Sequence, residues 1–272
     1  MSGIAFALTN VGYRIGTAEI LADVTLEIPY GRVLGLVGPN GAGKSSLLKI
    51  LTGDVTPTAG EVRLDGRPLS QWSARELSRA RAVLLQSNQV AFSFTAAEVI
   101  EMGRAPWIGS ARSEDDEAII ADAFRRADVV HLAPRSFPSL SGGEQARVSL
   151  ARVLAQDTAV IMLDEPTAAL DLRHQEDVLR IARELALAGR AVVVVLHDLS
   201  LAAAYADDIA IVHNGRMVAQ GDPADVLTED RITAVYETPV RVIPDPDTGR
   251  PVILPRRSAD LSAGSQVLPR LG

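Results

Sequence analysis

The sequence predicts an α/β fold, a parallel sheet wrapped by helices, and three observations carry that expectation. The runs Val160-Ile161-Met162-Leu163 and Ala191-Val192-Val193-Val194-Val195-Leu196 are continuously apolar instead of alternating, the pattern of strands covered on both faces. Helical patterns follow them, notably at 174–187 and 199–205, and strand, helix, strand in that order implies parallel pairing through crossovers. A third apolar run, Val33-Leu34-Gly35-Leu36-Val37, feeds directly into the glycine-rich segment Gly38-Pro39-Asn40-Gly41-Ala42-Gly43-Lys44-Ser45.

A chain of 272 residues, 47% hydrophobic and 22% charged, suits one large α/β domain or a core with a smaller inserted subdomain. The formal net charge of −7 argues against broad nucleic-acid binding, which needs a basic face, although a local patch stays open. With no cysteine, disulfides, thiolate metal sites and cysteine nucleophiles are excluded. The segment Met1 to Leu8 lacks the basic stretch and apolar core of a secretory signal. No apolar run approaches the roughly 20 residues that cross a bilayer, so work at a membrane would require a docking partner.

Taken in order, the first thirty residues and 60–68 read as short strands with turns, an N-terminal antiparallel β subdomain. Residues 95–156 are almost wholly helical in pattern and suggest an inserted α-helical subdomain. Within them, Ser113 followed by Glu114-Asp115-Asp116-Glu117 looks like an N-cap with acids in the first turn, where the helix dipole favours them; this reading is preferred to a metal site. Asn214-Gly215 between two β-rich runs signals a two-residue hairpin, and Asp222-Pro223 caps a short helix. The expected organisation is one main domain over 1–240, with the helical subdomain inserted in it, and an extension over 241–272. That extension holds a small hairpin around Asp247-Thr248-Gly249 and ends in a loose stretch, 258–272.

The glycine-rich segment matches G-x-x-x-x-G-K-[ST] in full and lies between a strand and a helix, the context that motif requires. Glycines let the backbone approach phosphates, and amides at the helix N-terminus point at them. Lys44 would reach the β- and γ-phosphates, and the Ser45 hydroxyl would coordinate Mg²⁺. Asp164 closes the run at 160–163 and could hold Mg²⁺ through water; the adjacent Glu165 is placed to polarise an attacking water as general base. Alone, these would be a glycine turn and two solvated acids; together they point to a P-loop NTPase with a RecA-like parallel-sheet core holding a nucleotide and Mg²⁺, which still leaves many P-loop enzymes open.

Leu140-Ser141-Gly142-Gly143-Glu144-Gln145 is also a capping box, Ser141 with Glu144, opening a helix that runs to Leu154. A capped helix start preceded by glycines is itself an anion site. The same six residues match the signature of ATP-binding cassette (ABC) ATPases, and the chain resembles that family over nearly its whole length. The resemblance implies that Ser141, Gly142 and Gly143 bind the γ-phosphate of ATP held by a second copy of the chain, so that the active unit is a homodimer. It also implies roles for single positions. Tyr13, otherwise a packed strand residue, matches an aromatic stacked on adenine. Ser46 joins the phosphate loop in holding the nucleotide. Gln86 matches a loop glutamine touching Mg²⁺ and the water. Ala169-Leu170-Asp171 matches a loop crossing the dimer interface. His197, which alone would read as structural, matches a switch histidine sensing the γ-phosphate. Glu165, His197 and Gln86 are thus the expected catalytic set, and Ser45, Gln86 and Asp164 the expected Mg²⁺ set.

Within the family, the stretch Phe92-Ser93-Phe94-Thr95 through Met102-Gly103-Arg104-Ala105-Pro106-Trp107, and Ala169-Leu170-Asp171 continuing to His174-Gln175, resemble the ATPases of importers for ferric siderophores, haem and vitamin B12. The tail, with Ile243-Pro244-Asp245-Pro246 and Arg250 to Pro255, most resembles hemin importer subunits. That likeness implies transmembrane permease subunits as partners, a substrate-binding protein acting indirectly, and a peripheral place on the cytoplasmic face of the inner membrane. Phe92 and Phe94 suit either docking to the permease or the core of the helical subdomain. The rivals are a soluble ABC ATPase, which would carry two cassettes or a coiled-coil insertion, and a P-loop kinase or GTPase, which would lack the signature.

Overall fold

The computed structural model describes residues 3–85 and 94–257. Twelve strands and nine α-helices are formed among them. The first sheet is antiparallel, ordered β2-β1-β4-β5, from β1 (Ile4–Ile15), β2 (Ala18–Pro29), β4 (Ala59–Leu64) and β5 (Arg67–Pro68). The second holds six strands, ordered β10-β9-β3-β8-β7-β6. They are β3 (Val33–Val37), β6 (Arg81–Leu84), β7 (Val160–Asp164), β8 (Ala191–Val195), β9 (Asp208–His213) and β10 (Arg216–Gly221). All neighbours there pair in parallel except β9 and β10, which form the hairpin read at Asn214-Gly215. Both turn residues take positive φ, 48° and 73°, as a two-residue turn of this type demands.

The continuous apolar runs have a direct structural cause. Every residue of β3, β7 and β8 is buried, and alternate side chains enter two different cores. Leu34, Leu36, Met162, Val193 and Val195 face the antiparallel sheet, packing with Phe6, Leu8, Leu26 and Ile28. Val33, Val37, Ile161, Leu163, Val192 and Val194 face the layer of helices. A strand between two apolar layers has no solvent face, so no polar alternation survives in its sequence.

The helices are α1 (Lys44–Leu51), α2 (Ala74–Ala80), α3 (Ala96–Glu101), α4 (Asp116–Arg126), α5 (Gly142–Gln156), α6 (Leu172–Leu187), α7 (Leu199–Tyr205), α8 (Pro223–Val226) and α9 (Glu229–Tyr236). Between α3 and β7 every described regular element is helical. Asp222 caps α8, its carboxylate accepting from the Ala224 amide at 2.8 Å. The chain then forms a hairpin of β11 (Val240–Pro244) and β12 (Pro251–Pro255). It is fastened to α7 by Arg250, whose Nη1 donates to the carbonyls of Ala203 and Ala206 at 2.7 Å each.

Ser113 does not cap a helix. It lies inside a short 3₁₀ turn, Ala111–Asp115, its hydroxyl donating to the Ser110 carbonyl at 2.6 Å, and α4 begins only at Asp116. The cause is a distant partner. Buried Arg104 donates to the Asp116 carboxylate at 2.6 Å and to the carbonyls of Arg112 and Ala155. Asp116 is therefore drawn inward, which fixes where the helix starts.

Candidate active site

Strand register assembles the site. In the parallel sheet Leu36 lies opposite Val195, and Asp164 opposite Val195 from the other side. The carboxyl ends of β3, β7 and β8 are therefore level, and the segments that leave them, 38–44, 165–170 and 196–198, share one edge of the sheet. Ligand crevices of open α/β sheets lie at that edge.

The loop after β3 is held rigidly before any ligand is considered. Gly38 has φ 151°, and a Cβ there would stand 2.1 Å from the Val212 carbonyl oxygen, so only glycine fits. The Gly215 amide donates to the Ala42 carbonyl at 3.0 Å and the Ala22 amide to the Gly215 carbonyl at 2.8 Å. The β9–β10 turn, read from sequence only as a hairpin, thus also braces the loop. Lys44 opens α1, and its buried side chain turns back so that Nζ donates to the carbonyls of Gly38 at 2.7 Å and Pro39 at 3.0 Å. Burial lowers the Lys44 ammonium below its usual range, while Glu165 and Asp164 pull it back up. Asn40, Gly41 and Ser45 are exposed, and Gly43 and Ser46 are half-buried.

Asp164, the last residue of β7, is raised above the usual carboxylate range, first by burial and then by the neighbouring Glu165, against the pull of Lys44 and His197. Its Oδ1 is buried with no hydrogen-bond partner among the described residues. Glu165 follows in the left-handed region, φ 50°, with its amide donating to the Val195 carbonyl at 3.2 Å. A non-glycine residue there carries a modest conformational cost, of the sort often found at working sites. The turn carries its carboxylate Oε1 to 2.5 Å from Nε2 of His197, joining two groups 32 residues apart. The His197 side chain is 46% exposed against 14% for Glu165, so the imidazole is the outer member of the pair.

Tyr13 is reached from the same loop. The position of a Gly43 Cβ would lie 2.7 Å from Leu21 Cδ2, and Leu21 pairs with Tyr13 across β1 and β2. Tyr13 is half-buried against the core under the antiparallel sheet and lines a cavity of about 290 Å³ with Asn10, Thr58, Ala59 and Arg216.

Ser141, Gly142 and Gly143 form a separate cluster. Ser141 caps α5 through the full capping box: the Glu144 amide donates to Ser141 Oγ at 3.3 Å and the Ser141 amide to Glu144 Oε2 at 2.7 Å. That backbone bond, with the Ser141 hydroxyl and Arg135, holds the Glu144 carboxyl below its usual range. A Cβ on Gly142 would meet Ala169 Cβ at 4.0 Å, and one on Gly143 the Ala169 carbonyl oxygen at 3.3 Å and Leu170 Cδ2 at 3.7 Å. One chain thus brings together Lys44, Asp164, Glu165 and His197. Gln86 and Phe92 lie outside the described residues. Phe94 is half-buried and packs against the core between the parallel sheet and the helices.

A family model described as ABC transporter matches residues 21–168, just over half of the chain. A hemin import ATP-binding protein HmuV of Rhodococcus jostii (strain RHA1) is 58% identical over 242 residues, 89% of this chain and 83% of that protein. Its counterpart in Nocardia farcinica (strain IFM 10152) is 56% identical over 240 residues, covering 88% and 83%. Among solved structures, a metal-chelate type ABC transporter in an inward-facing conformation superimposes with a TM-score of 0.79 at 25% identity, over 93% of this chain and 98% of that one. A dimeric ATP-binding cassette, MJ0796, bound to ADP and phosphate, gives 0.72 at 29%, over 80% and 98%. On fold, phosphate loop and near full-length likeness, the chain belongs to the ABC transporter family and is one of its ATP-binding ATPase subunits.

Proposed function

We propose that two copies of this chain close on two ATP molecules, each held by the phosphate loop of one copy and by Ser141, Gly142 and Gly143 of the other. The observation that carries this reading is the division of the site. Lys44 and the Glu165–His197 pair converge at one sheet edge, whereas the capped, glycine-led start of α5 leaves Ser141 and Gly142 exposed and has Ala169 and Leu170 beside its glycines. Helix starts of this kind suit an anion, and a second chain can bring one to the first chain's phosphates.

In this reading the Gly38–Ser46 loop, through its available backbone N–H groups and Lys44, holds the β- and γ-phosphates, and Tyr13 stacks on adenine. Glu165 accepts a proton from water as its oxygen attacks the γ-phosphorus; the bond to the β-phosphate oxygen breaks, leaving ADP and phosphate. His197, bonded through Nε2, keeps that carboxylate aimed, and offers its outer edge to the γ-phosphate. The donor set also suits Mg²⁺. The described residues contain no cluster of three His, Cys, Asp or Glu side chains, so a carboxylate cage is not the design. Asp164 instead presents a buried, unpartnered oxygen next to the exposed Ser45 hydroxyl's helix. Ser45, Asp164 and Gln86 would hold the ion, which when bound neutralises charge on the phosphate oxygens.

Closure is a population shift: ATP favours the closed pair, and hydrolysis releases it. Coupled to transmembrane permease subunits, with a substrate-binding protein supplying cargo, that cycle drives import. Among the described residues no helix is long and apolar enough to cross a membrane, in keeping with a peripheral subunit on the cytoplasmic face of the inner membrane. The relatives' names support hemin as cargo; ferric siderophores and vitamin B12 are the alternatives. The test of the chemistry is Glu165→Gln, which should bind ATP and hydrolyse it about 10²–10⁴-fold more slowly; wild-type turnover would remove Glu165 from the base role. The test of cargo is ATPase activity of the chain reconstituted with its permease, which hemin-loaded binding protein should stimulate and a vitamin B12-loaded one should not.

A further inference from the structure

The signature helix and the helix after the Ala169 loop begin with the same device. Helix α5 is preceded by buried Leu140 and capped by Ser141; α6 is preceded by buried Leu170 and capped by Asp171, whose carboxylate accepts from the His174 amide at 3.0 Å. In each, the fourth helical residue is glutamine. Gln145 Nε2 donates to the carbonyls of Leu140 at 3.0 Å and Phe137 at 3.3 Å. Gln175 Nε2 donates to those of Leu170 at 3.0 Å and Thr167 at 3.2 Å. The offsets are identical, five and eight residues back. This helical position commonly carries an apolar side chain that packs on the residue before the cap. Here it carries an amide that ties down the incoming loop's carbonyls instead.

The two braced loops also touch. A Cβ on Gly143 would sit 3.3 Å from the Ala169 carbonyl oxygen and 3.7 Å from Leu170 Cδ2. The 167–171 loop leaves Glu165 within two residues, and the Ala168 amide donates to the Glu165 carbonyl at 3.2 Å. A rigid connection therefore runs from Glu165, through the loop pinned by Gln175, to the signature glycines pinned by Gln145.

We propose that Gln145 and Gln175 are positioning residues that present the signature glycines and the 167–171 loop to the second chain as one preformed surface. The inference rests on the two-chain reading above. A loop already fixed in its bound shape loses less conformational freedom on association, so the amides act on dimer closure and not on ATP capture by the phosphate loop.

The test uses full-length Gln175→Met and Gln145→Met, which keep side-chain volume and remove the donors, each in a Glu165→Gln background that halts hydrolysis. ATP binding to the dilute single chain is measured with a fluorescent ATP analogue, ATP-driven dimerisation by sedimentation velocity, and folding by thermal melt. Expected is single-chain affinity within about twofold of the parent, with the ATP concentration for half-dimerisation raised about tenfold, the scale of losing one or two net hydrogen bonds. Unchanged dimerisation overturns the proposal. So does equal weakening of single-chain binding and dimerisation with a lower melting temperature, which would make the amides simple fold supports. If the Glu165→Gln parent does not dimerise, the two-chain reading fails and this one with it; a parent that dimerises alongside unaffected variants removes only the present inference.

Discussion

Replacing Gly142 by alanine separates what the fold needs from what the nucleotide needs. Gly142 is the first residue of α5, its φ is not positive, and a built Cβ meets nothing nearer than Ala169 Cβ at 4.0 Å, an ordinary contact. Nothing within the chain therefore calls for glycine. Alanine in a helix is favoured over glycine by roughly 0.5–1 kcal/mol, and it restricts the unfolded chain by a similar amount. The melting temperature of Gly142→Ala should hold or rise by a few degrees, since about 1 kcal/mol moves a domain of this size by roughly 2–4 °C. If the γ-phosphate of the second chain's ATP sits against this helix start, the added methyl displaces it from an amide. Loss of one such donor costs about 3 kcal/mol, or 10²–10³ in kcat. The assay is phosphate release at saturating ATP beside a thermal melt of the same preparation. Retained turnover would refute the reasoning, and so would lost turnover accompanied by a fall in melting temperature. Gly38→Ala is the counterpart: with φ 151° and a Cβ 2.1 Å from the Val212 oxygen, it should lose several degrees or fail to fold.

Three further expectations follow from the same geometry. His197→Ala should lower kcat by about 10²-fold or more while leaving ATP binding to the single chain within about twofold, because the imidazole bonds Glu165 and not the phosphate loop; equal losses in both would place His197 in binding. The capping-box carboxylates Glu76, Glu98 and Glu144 all sit below their ordinary value of 4.5, Glu76 at about 2 through Arg67 and the Ser73 amide, and the other two chiefly through the cap amides of Thr95 and Ser141. Depressed folded-state values mean their stabilisation is complete above pH 4.5 and is lost as pH falls through the folded values, about 2 for Glu76. Denaturant melts of the triple Glu→Gln variant, run from about pH 6 to about pH 3, should therefore show a shallower acid loss than the parent; parallel curves would exclude this source. Arg104→Met should cost about 3 kcal/mol or more, because it leaves Asp116 and two carbonyls without their buried partner; a change under about 1 kcal/mol in denaturant titration would show that α4 is held some other way.

Much of the fold was legible because the cause was local or repeated along the chain. Burial on both faces writes itself as unbroken apolar runs, and β3, β7 and β8 lie where those runs stand. Asn214-Gly215 needs only its own backbone to signal a turn, and Ser141 with Glu144 marks a helix start within four residues. The misreading at Ser113 shows the limit of such reasoning. Its acids satisfy every local rule for a cap, but Arg104, buried far from them in sequence, claims Asp116 and sets the helix start. The site was legible as residues and not as geometry. Nothing in the sequence near Glu165 declares that its backbone turns left-handed, or that the turn delivers the carboxylate to His197; strand register alone brings them together. Gln145 and Gln175 carried a visible signal, the same Leu-to-Gln spacing at 140–145 and 170–175, but its meaning required seeing which carbonyls the amides reach.

The central claim is that each ATP site is finished by a second chain, and the most direct measurement is the mass of Glu165→Gln in solution with and without saturating Mg²⁺–ATP. Light scattering after size exclusion should give one chain without nucleotide and two with ATP, the pair reverting when ADP replaces it. A protein that binds ATP fully and stays at the mass of one chain would contradict the account.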